Sequence, residues 1–106
     1  MAELLTGTLD LLILRVLNSG PLHGFGIAER IHVISKQALE VEEGSLYPAL
    51  HRMKKQKLIR GEWRTTPNGR RARFYSLTET GRERLAEEET NWTALAKGIQ
   101  KVLRFA

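Results

Sequence analysis

LIRGEWRTTPNGRRARFYSL, residues 58–77, contains two short runs rich in β-branched and aromatic residues, separated by a polar segment with Pro and Gly. The runs Leu58–Arg64 and Ala72–Leu77 are typical of β-strands, and the segment between them is typical of a turn. Asn68-Gly69 suits the positive φ angles of a tight hairpin turn. The stretch therefore predicts a β-hairpin with a basic tip.

This hairpin lies in the most basic part of the chain. Between residues 52 and 73, nine of twenty-two residues are Lys or Arg and only Glu62 is acidic. That segment carries about +8, whereas the whole 106-residue chain carries a formal net charge of +5. The positive charge is therefore concentrated on one part of the protein, and such a field attracts a polyanion.

Length and composition limit the class of protein. A chain of 106 residues, 42% of them apolar, can bury one modest core, so we expect one compact unit. The absence of cysteine excludes disulfides, thiol catalysis and Cys-ligated zinc. The longest apolar run, residues 9–17, contains two charged residues and is shorter than the roughly 20 residues of a membrane span. We therefore expect a cytoplasmic protein without membrane contact.

Apolar residues surround nearly the whole first predicted helix, Gly7–Asn18, which we expect to be capped near Thr6 or Thr8. A helix that lies on one small core needs only an apolar stripe, so a second surface must cover the other side. That surface belongs either to the same compact domain or to a partner subunit.

The second predicted helix, Gly24–Ser35, follows a glycine-rich entry. Glycine lets the backbone approach another surface closely, and the N–H groups of the first turn could bind a phosphate. The sequence thus favours backbone phosphate contacts at His23, Gly24 and Phe25. A glycine turn needed only to reverse the chain explains the composition equally well.

The third predicted helix, about 43–57, has polar groups near its start and cations further along. This layout is typical of a helix in the DNA major groove, where early residues reach base edges and later ones bind phosphates. A solvated polar face is the ordinary alternative. The side chains on this face are Ser45, Tyr47, His51, Arg52, Lys54 and Lys55.

Three helices followed by a basic hairpin predict a mostly α, α+β fold of the winged helix-turn-helix type. In this fold Arg70, Arg71 and Arg73 could follow a phosphate backbone or enter a minor groove. We expect residues 1–77 to form the winged-helix domain and residues 78–106 to form a C-terminal dimerisation helix in the same compact unit.

The last predicted helix, Thr78 to about Phe105, has an apolar heptad pattern that calls for a partner. Pairing with a second subunit would give a two-fold homodimer; packing on the first helix of its own subunit is the alternative. The expected dimer-interface residues are Leu9, Leu12, Leu85, Trp92, Leu95, Ile99 and Val102.

Catalysis and metal binding are not indicated. His23, His32 and His51 lie in three different predicted elements without metal-ligand spacing, and we expect His32 on the exposed flank of its helix. The sequence thus predicts no catalytic residue, no metal site and no cofactor. The competing class of protein is an interaction adaptor that binds an acidic partner.

Several motifs together resemble the PadR family of bacterial transcriptional regulators. They are Gly7–Leu14 (GTLDLLIL), Gly20–Ile27 (GPLHGFGI), Glu43–Leu50 (EGSLYPAL), Asn68–Arg73 with Tyr75–Thr78, and Gly81. The resemblance covers Gly7 to about Leu85, and the short last helix is similar to that of the small-sized branch. It implies a winged-helix dimer that binds a palindromic double-stranded operator, represses transcription and is released by a small effector.

The resemblance also assigns roles to residues of this chain. It places Ser45, Tyr47, Pro48 and His51 on the recognition helix, Asn68, Gly69, Arg70 and Arg71 at the wing tip, and Arg73 as their support. Many relatives have tyrosine where this chain has Phe25, so only the neighbouring backbone could bind phosphate here. Trp92 is the candidate to contact a planar hydrophobic effector at the dimer centre; filling the dimer seam is its alternative role.

Overall fold

The computed structural model describes residues 6–105. Four helices and three strands follow one another as α1 (Thr6–Leu17), β1 (Leu22–His23), α2 (Gly24–Ile34), α3 (Glu43–Lys55), β2 (Ile59–Thr65), β3 (Arg71–Leu77) and α4 (Glu79–Leu103). This confirms the predicted α+β winged helix-turn-helix fold. Thr8 lies inside α1, and any cap before Thr6 is outside the described residues.

The sheet is antiparallel with strand order β1-β3-β2. In the hairpin, which we call the wing, Ile59 pairs with Leu77 and the register continues outward to Thr65 opposite Arg71. The sequence did not predict β1, whose two residues pair with Phe74 and Tyr75. This short strand attaches the entry of α2 to the inner half of the wing.

The wing turn differs from the sequence prediction in one dihedral angle. Gly69 has a φ of 85°, whereas Asn68 is not among the residues with positive φ. The prediction of a turn in which both residues have positive φ was therefore wrong. The N–H of Gly69 donates to the carbonyl of Thr66 (2.9 Å), which centres a β-turn on Pro67 and Asn68. The result is a three-residue loop that ends in a glycine with positive φ.

The core surrounds α1. Its residues Leu9, Ile13, Leu14, Val16 and Leu17 are buried, and Leu11 and Leu12 pack against the same cluster. Ile27, Leu46, Leu50 and Met53 from α2 and α3, with Ile59 from β2, complete its centre. Because its own domain covers most of α1, the apolar surround of this helix is explained by a central position in a compact fold.

The start of α4 packs closely on the segment between α3 and β2. Thr78 caps α4 by accepting a hydrogen bond from the N–H of Gly81 (3.0 Å), and its hydroxyl donates to the carbonyl of Lys57 (2.7 Å). A Cβ atom at position 81 would lie 2.1 Å from the carbonyl oxygen of Leu58. Only glycine therefore lets the first turn of α4 approach the backbone of Leu58 so closely.

Gly81→Ala is expected to destabilise the protein by about 1–3 kcal/mol, the usual cost of forcing an atom into packed space. Thermal unfolding followed by circular dichroism measures the effect. Gly98→Ala on the same helix is the matched control, because a Cβ atom there meets nothing within 4 Å. The control should gain up to about 1 kcal/mol from helix propensity, and equal melting temperatures for the two variants would contradict the assigned packing.

Beyond its first two turns, α4 leaves the core. Gly81 and Leu85 are its buried residues, and the remainder projects from a molecule whose longest dimension is 58 Å. No helix within residues 6–105 is long and apolar enough to cross a membrane.

Candidate nucleic-acid interface

A groove of about 990 Å³ lies between the start of α2, the side chain of Tyr47 on α3 and the wing. It brings together residues that the sequence placed in three separate elements. Its lining comprises Leu22, His23, Gly24, Phe25, Tyr47, Thr66, Pro67, Asn68, Arg70, Arg71, Ala72, Arg73, Phe74 and Tyr75. The groove therefore joins the predicted helix entry and wing tip to Tyr47, whereas the other predicted contact residues of α3 are not in its lining.

Tyr47 lies across the start of α2. A Cβ atom at Gly24 would be 2.7 Å from the Tyr47 hydroxyl, so glycine is needed here to make room for the phenol ring. The ring remains 45% exposed toward the groove. Neither explanation offered for this glycine from the sequence included a neighbouring side chain.

The start of α2 is the segment for which backbone phosphate contacts were predicted. The Nδ1 atom of His23 accepts the N–H of Gly26 (2.9 Å), and its ring meets Phe74 edge-on at 5.4 Å. His23 is thus occupied as a helix cap, and Gly24 is buried. Because the cap uses the His23 side chain, backbone phosphate contacts at His23, Gly24 and Phe25 stay a prediction.

The outer face of α3 opposes its buried stripe of Leu46, Ala49, Leu50 and Met53. Most of the predicted contact residues on this helix are exposed, namely Ser45, Tyr47, Pro48, His51, Lys54 and Lys55. Pro48 removes the N–H that would bond to Gly44, which is itself exposed, so water can reach the freed carbonyl.

Arg52, also predicted to contact DNA, is engaged by another helix instead of lying free on this face. Its guanidinium forms a bidentate ion pair with Asp10 of α1, with Nη1 to Oδ2 at 2.6 Å and Nη2 to Oδ1 at 3.0 Å. These hydrogen bonds raise the pKa of Arg52, against the opposing effect of burial. Arg52 therefore attaches α3 to α1.

The two faces of the wing differ in charge. On one face Arg64 forms an ion pair with Glu62 at 3.0 Å. Among the described residues, no ion pair involves Arg70, Arg71 or Arg73. Their charge is therefore not neutralised locally and remains for an external anion.

Asn68 holds the wing tip together. Its side-chain oxygen accepts hydrogen bonds from the Thr66 hydroxyl and from the N–H of Arg70 (3.4 Å). The same hydroxyl lies 2.8 Å from the carbonyl oxygen of Arg70. Asn68 thus shapes the loop that presents Arg70 and Arg71, in addition to being exposed itself.

Tyr75, which the sequence analysis did not assign to the site, lies on the groove wall. Burial raises the pKa of its phenol, while the charge of Arg73 acts in the opposite direction and Tyr47 adds to the rise. Tyr75 is therefore neutral at physiological pH, with a hydroxyl that can donate or accept a hydrogen bond. The sequence does contain a signal for this position: Tyr75 lies two residues after Arg73, so alternation along β3 places both side chains on the same face of the wing.

The far half of α4 exposes an apolar stripe formed by Trp92, Leu95, Ile99 and Val102, whose exposed fractions are 50%, 60%, 48% and 72%. Two residues predicted for the dimer interface do not belong to this stripe, because Leu9 and Leu85 are buried in the core of their own chain. Leu12 is half-buried against the same core.

No group of three or more potential metal-ligating side chains occurs within residues 6–105. His32 is not on an exposed flank, as the sequence suggested: it is half-buried, with Nδ1 2.9 Å from the carbonyl oxygen of Leu39. It therefore connects α2 to the loop before α3.

The sequence profile of the PadR-like family of transcriptional regulators matches residues 13–87, about 70% of the chain. The chain belongs to this family. A transcriptional regulator of Mycobacterium tuberculosis is 30% identical over 99 residues, which cover 93% of this chain and 89% of that protein. The family membership confirms the resemblance found in the sequence.

Solved structures agree with this assignment. A PadR-like transcriptional regulator of Bacillus cereus superposes with a TM-score of 0.83 at 28% identity, covering 99% of this chain and all of that one. A transcriptional regulator of Clostridium thermocellum gives a TM-score of 0.82 at 25% identity, covering 90% and 92% of the two chains. The PadR-like fold therefore extends over α4 as well as over the winged-helix part. The family is one of transcriptional regulators, not of enzymes.

Proposed function

We propose that this PadR-like regulator binds double-stranded DNA in a sequence-specific manner, as a homodimer, and represses transcription. The observation that carries the proposal is the shared groove, because it joins the exposed Tyr47 of α3 to the unneutralised arginines of the wing. A duplex held against this surface would meet polar groups suited to base edges and cations suited to phosphates at the same time.

Residues of α3 and of the wing have different roles in this proposal. Ser45, Tyr47, Pro48 and His51 enter the major groove, and Lys54 and Lys55 bind phosphates further along α3. Arg70 and Arg71 follow the backbone or enter the adjacent minor groove from the wing, with Asn68 and Gly69 shaping the tip and Arg73 behind them. The backbone beside Phe25 adds a phosphate contact.

The exposed stripe on α4 supports the dimer. A second copy of the same stripe would cover Trp92, Leu95, Ile99 and Val102 around a two-fold axis. Residues 6–77 then form the DNA-binding part and residues 78–105 the dimerisation part of one compact unit. Two-fold symmetry places the two recognition helices on half-sites about one helical turn, roughly 10 bp, apart.

Selection of bound fragments from a random duplex library tests the proposal. We expect enrichment of palindromic sequences with half-sites spaced by about 10 bp, and affinity that falls steeply with salt. Bound fragments without a common sequence would reduce the proposal to nonspecific binding. Absence of duplex binding at low salt would reject it, and would favour an acidic protein as the partner of the basic face.

We propose that release follows from binding of a small planar hydrophobic effector at Trp92, in the seam between the two copies of α4. The half-exposed indole offers a large aromatic face for stacking. Fluorescence titration with planar dyes in a Trp63→Phe background reports Trp92 alone, since the chain has two tryptophans. Emission that stays constant up to the solubility limit would reject the effector site.

A further inference from the structure

Trp63 lies on the outer half of β2, directly opposite Arg73 and two residue pairs inward from Arg71. The sequence alone assigns it no role. Trp63 is 56% exposed, although tryptophan is highly buried on average. Its position on the wing brings it close to the cations of the proposed DNA-binding face.

Both arginines lie within cation–π distance of the indole. The guanidinium carbon of Arg71 is 5.6 Å from the centroid of the ring, and that of Arg73 is 5.9 Å from it. An aromatic face attracts a guanidinium group without neutralising it, whereas a carboxylate would cancel its charge. Arg64 on the other wing face also lies over an aromatic ring, 5.4 Å from the centroid of Phe74, but there Glu62 neutralises its charge.

The backbone next to Trp63 contributes to the same arrangement. A Cβ atom at Gly61 would lie 2.5 Å from Nε of Arg73, so the Arg73 side chain occupies the space that glycine leaves. That Nε atom is buried and has no hydrogen-bond partner among the described residues. Arg73 is thus held by shape and by the indole, and its orientation depends on both neighbours.

We infer that Trp63 is a positioning residue for DNA binding: its indole, with the space above Gly61, orients Arg71 and Arg73 toward the groove while their full charge stays available for phosphate. The inference rests on the proposed function. A long arginine side chain loses much conformational freedom when it binds, and an arginine that is already oriented loses less. Trp63 therefore increases affinity through the two arginines.

Trp63→Ala is expected to weaken binding to the selected duplex by about 5- to 10-fold, because it removes two cation–π contacts at an exposed site. Trp63→Phe, which keeps an aromatic face, should recover most of the affinity. Fluorescence anisotropy with a labelled duplex measures both. Arg64→Ala is the matched control on the opposite wing face and should change affinity by less than about 2-fold, because its charge is already paired.

A double-mutant cycle separates positioning from direct contact. In an Arg71→Ala, Arg73→Ala background, Trp63→Ala should have no further effect, because the side chains through which it acts are absent. An undiminished effect in that background, or no effect of Trp63→Ala in the wild-type chain, would overturn the inference while leaving the proposed function intact. If the two arginine substitutions themselves leave duplex binding unchanged, the assigned role of the wing fails instead.

Discussion

Replacing Arg70 and Arg71 together by Ala is expected to reduce duplex affinity on the order of 100-fold at moderate salt, on every sequence tested. Both side chains are exposed at the wing tip and form no ion pair with described residues, so their loss removes external contacts and, within the chain, the cation–π contact of Arg71 with Trp63. In a dimer the double substitution removes four cations. The slope of log affinity against log salt should therefore become shallower by about 3 to 4.

A charge-matched variant distinguishes this local effect from net charge. Lys97→Ala with Lys101→Ala removes the same number of charges from exposed positions on α4. We expect that variant to bind with nearly wild-type affinity and an unchanged salt slope. Equal losses in the two variants would show that overall charge, rather than the wing, determines binding.

Ile99→Glu is expected to separate the dimer into subunits of 12.1 kDa at micromolar concentration. The residue lies in the middle of the exposed apolar stripe of α4, and symmetry would place two unpaired carboxylates in the seam. Burial of such charges costs several kcal/mol. Sedimentation equilibrium measures the mass, and loss of the second subunit should also abolish preference for palindromic duplexes.

Gln100→Glu supplies the control, since it adds the same charge at the neighbouring exposed position off the stripe. This variant should remain dimeric and should bind the selected duplex normally. If the wild-type chain itself sediments only as a 12.1 kDa species, the dimer proposal is wrong, whatever the variants show.

The order of elements could be predicted because each longer element has a clear local pattern. The helical periodicity of α3 and the two β-rich runs around Pro67-Asn68-Gly69 specify this helix and the wing without reference to distant residues. β1 was not predicted, because a strand of two residues has no alternation to detect. Its pairing with β3 is a tertiary contact between segments about 50 positions apart.

The residues of the candidate site were harder to predict where a side chain could either face solvent or contact another helix. Arg52 looked like its neighbours Lys54 and Lys55, and only the folded structure brings Asp10 of α1 within 2.6 Å of it. Similarly, Gly24 could not be linked to Tyr47 before the packing of α2 on α3 was known. Trp63 could not be paired with Arg73 from the sequence, because that register depends on the three-residue loop seen in the structure, whereas a tight Asn68-Gly69 turn would place Trp63 opposite Phe74.

The bonds around Thr78 have a mechanical consequence. α4 is a rod about 37 Å long, and its first turn is attached through Thr78 to the carbonyls of Lys57 and Leu58, just beyond the end of α3. Because Gly81 contacts the same backbone, the first turn of α4 cannot move independently of the segment that follows α3. A force on the far end of α4 is therefore transmitted to α3, the helix that carries Tyr47. In a dimer, the angle between the two α4 helices would fix the distance between the two copies of α3.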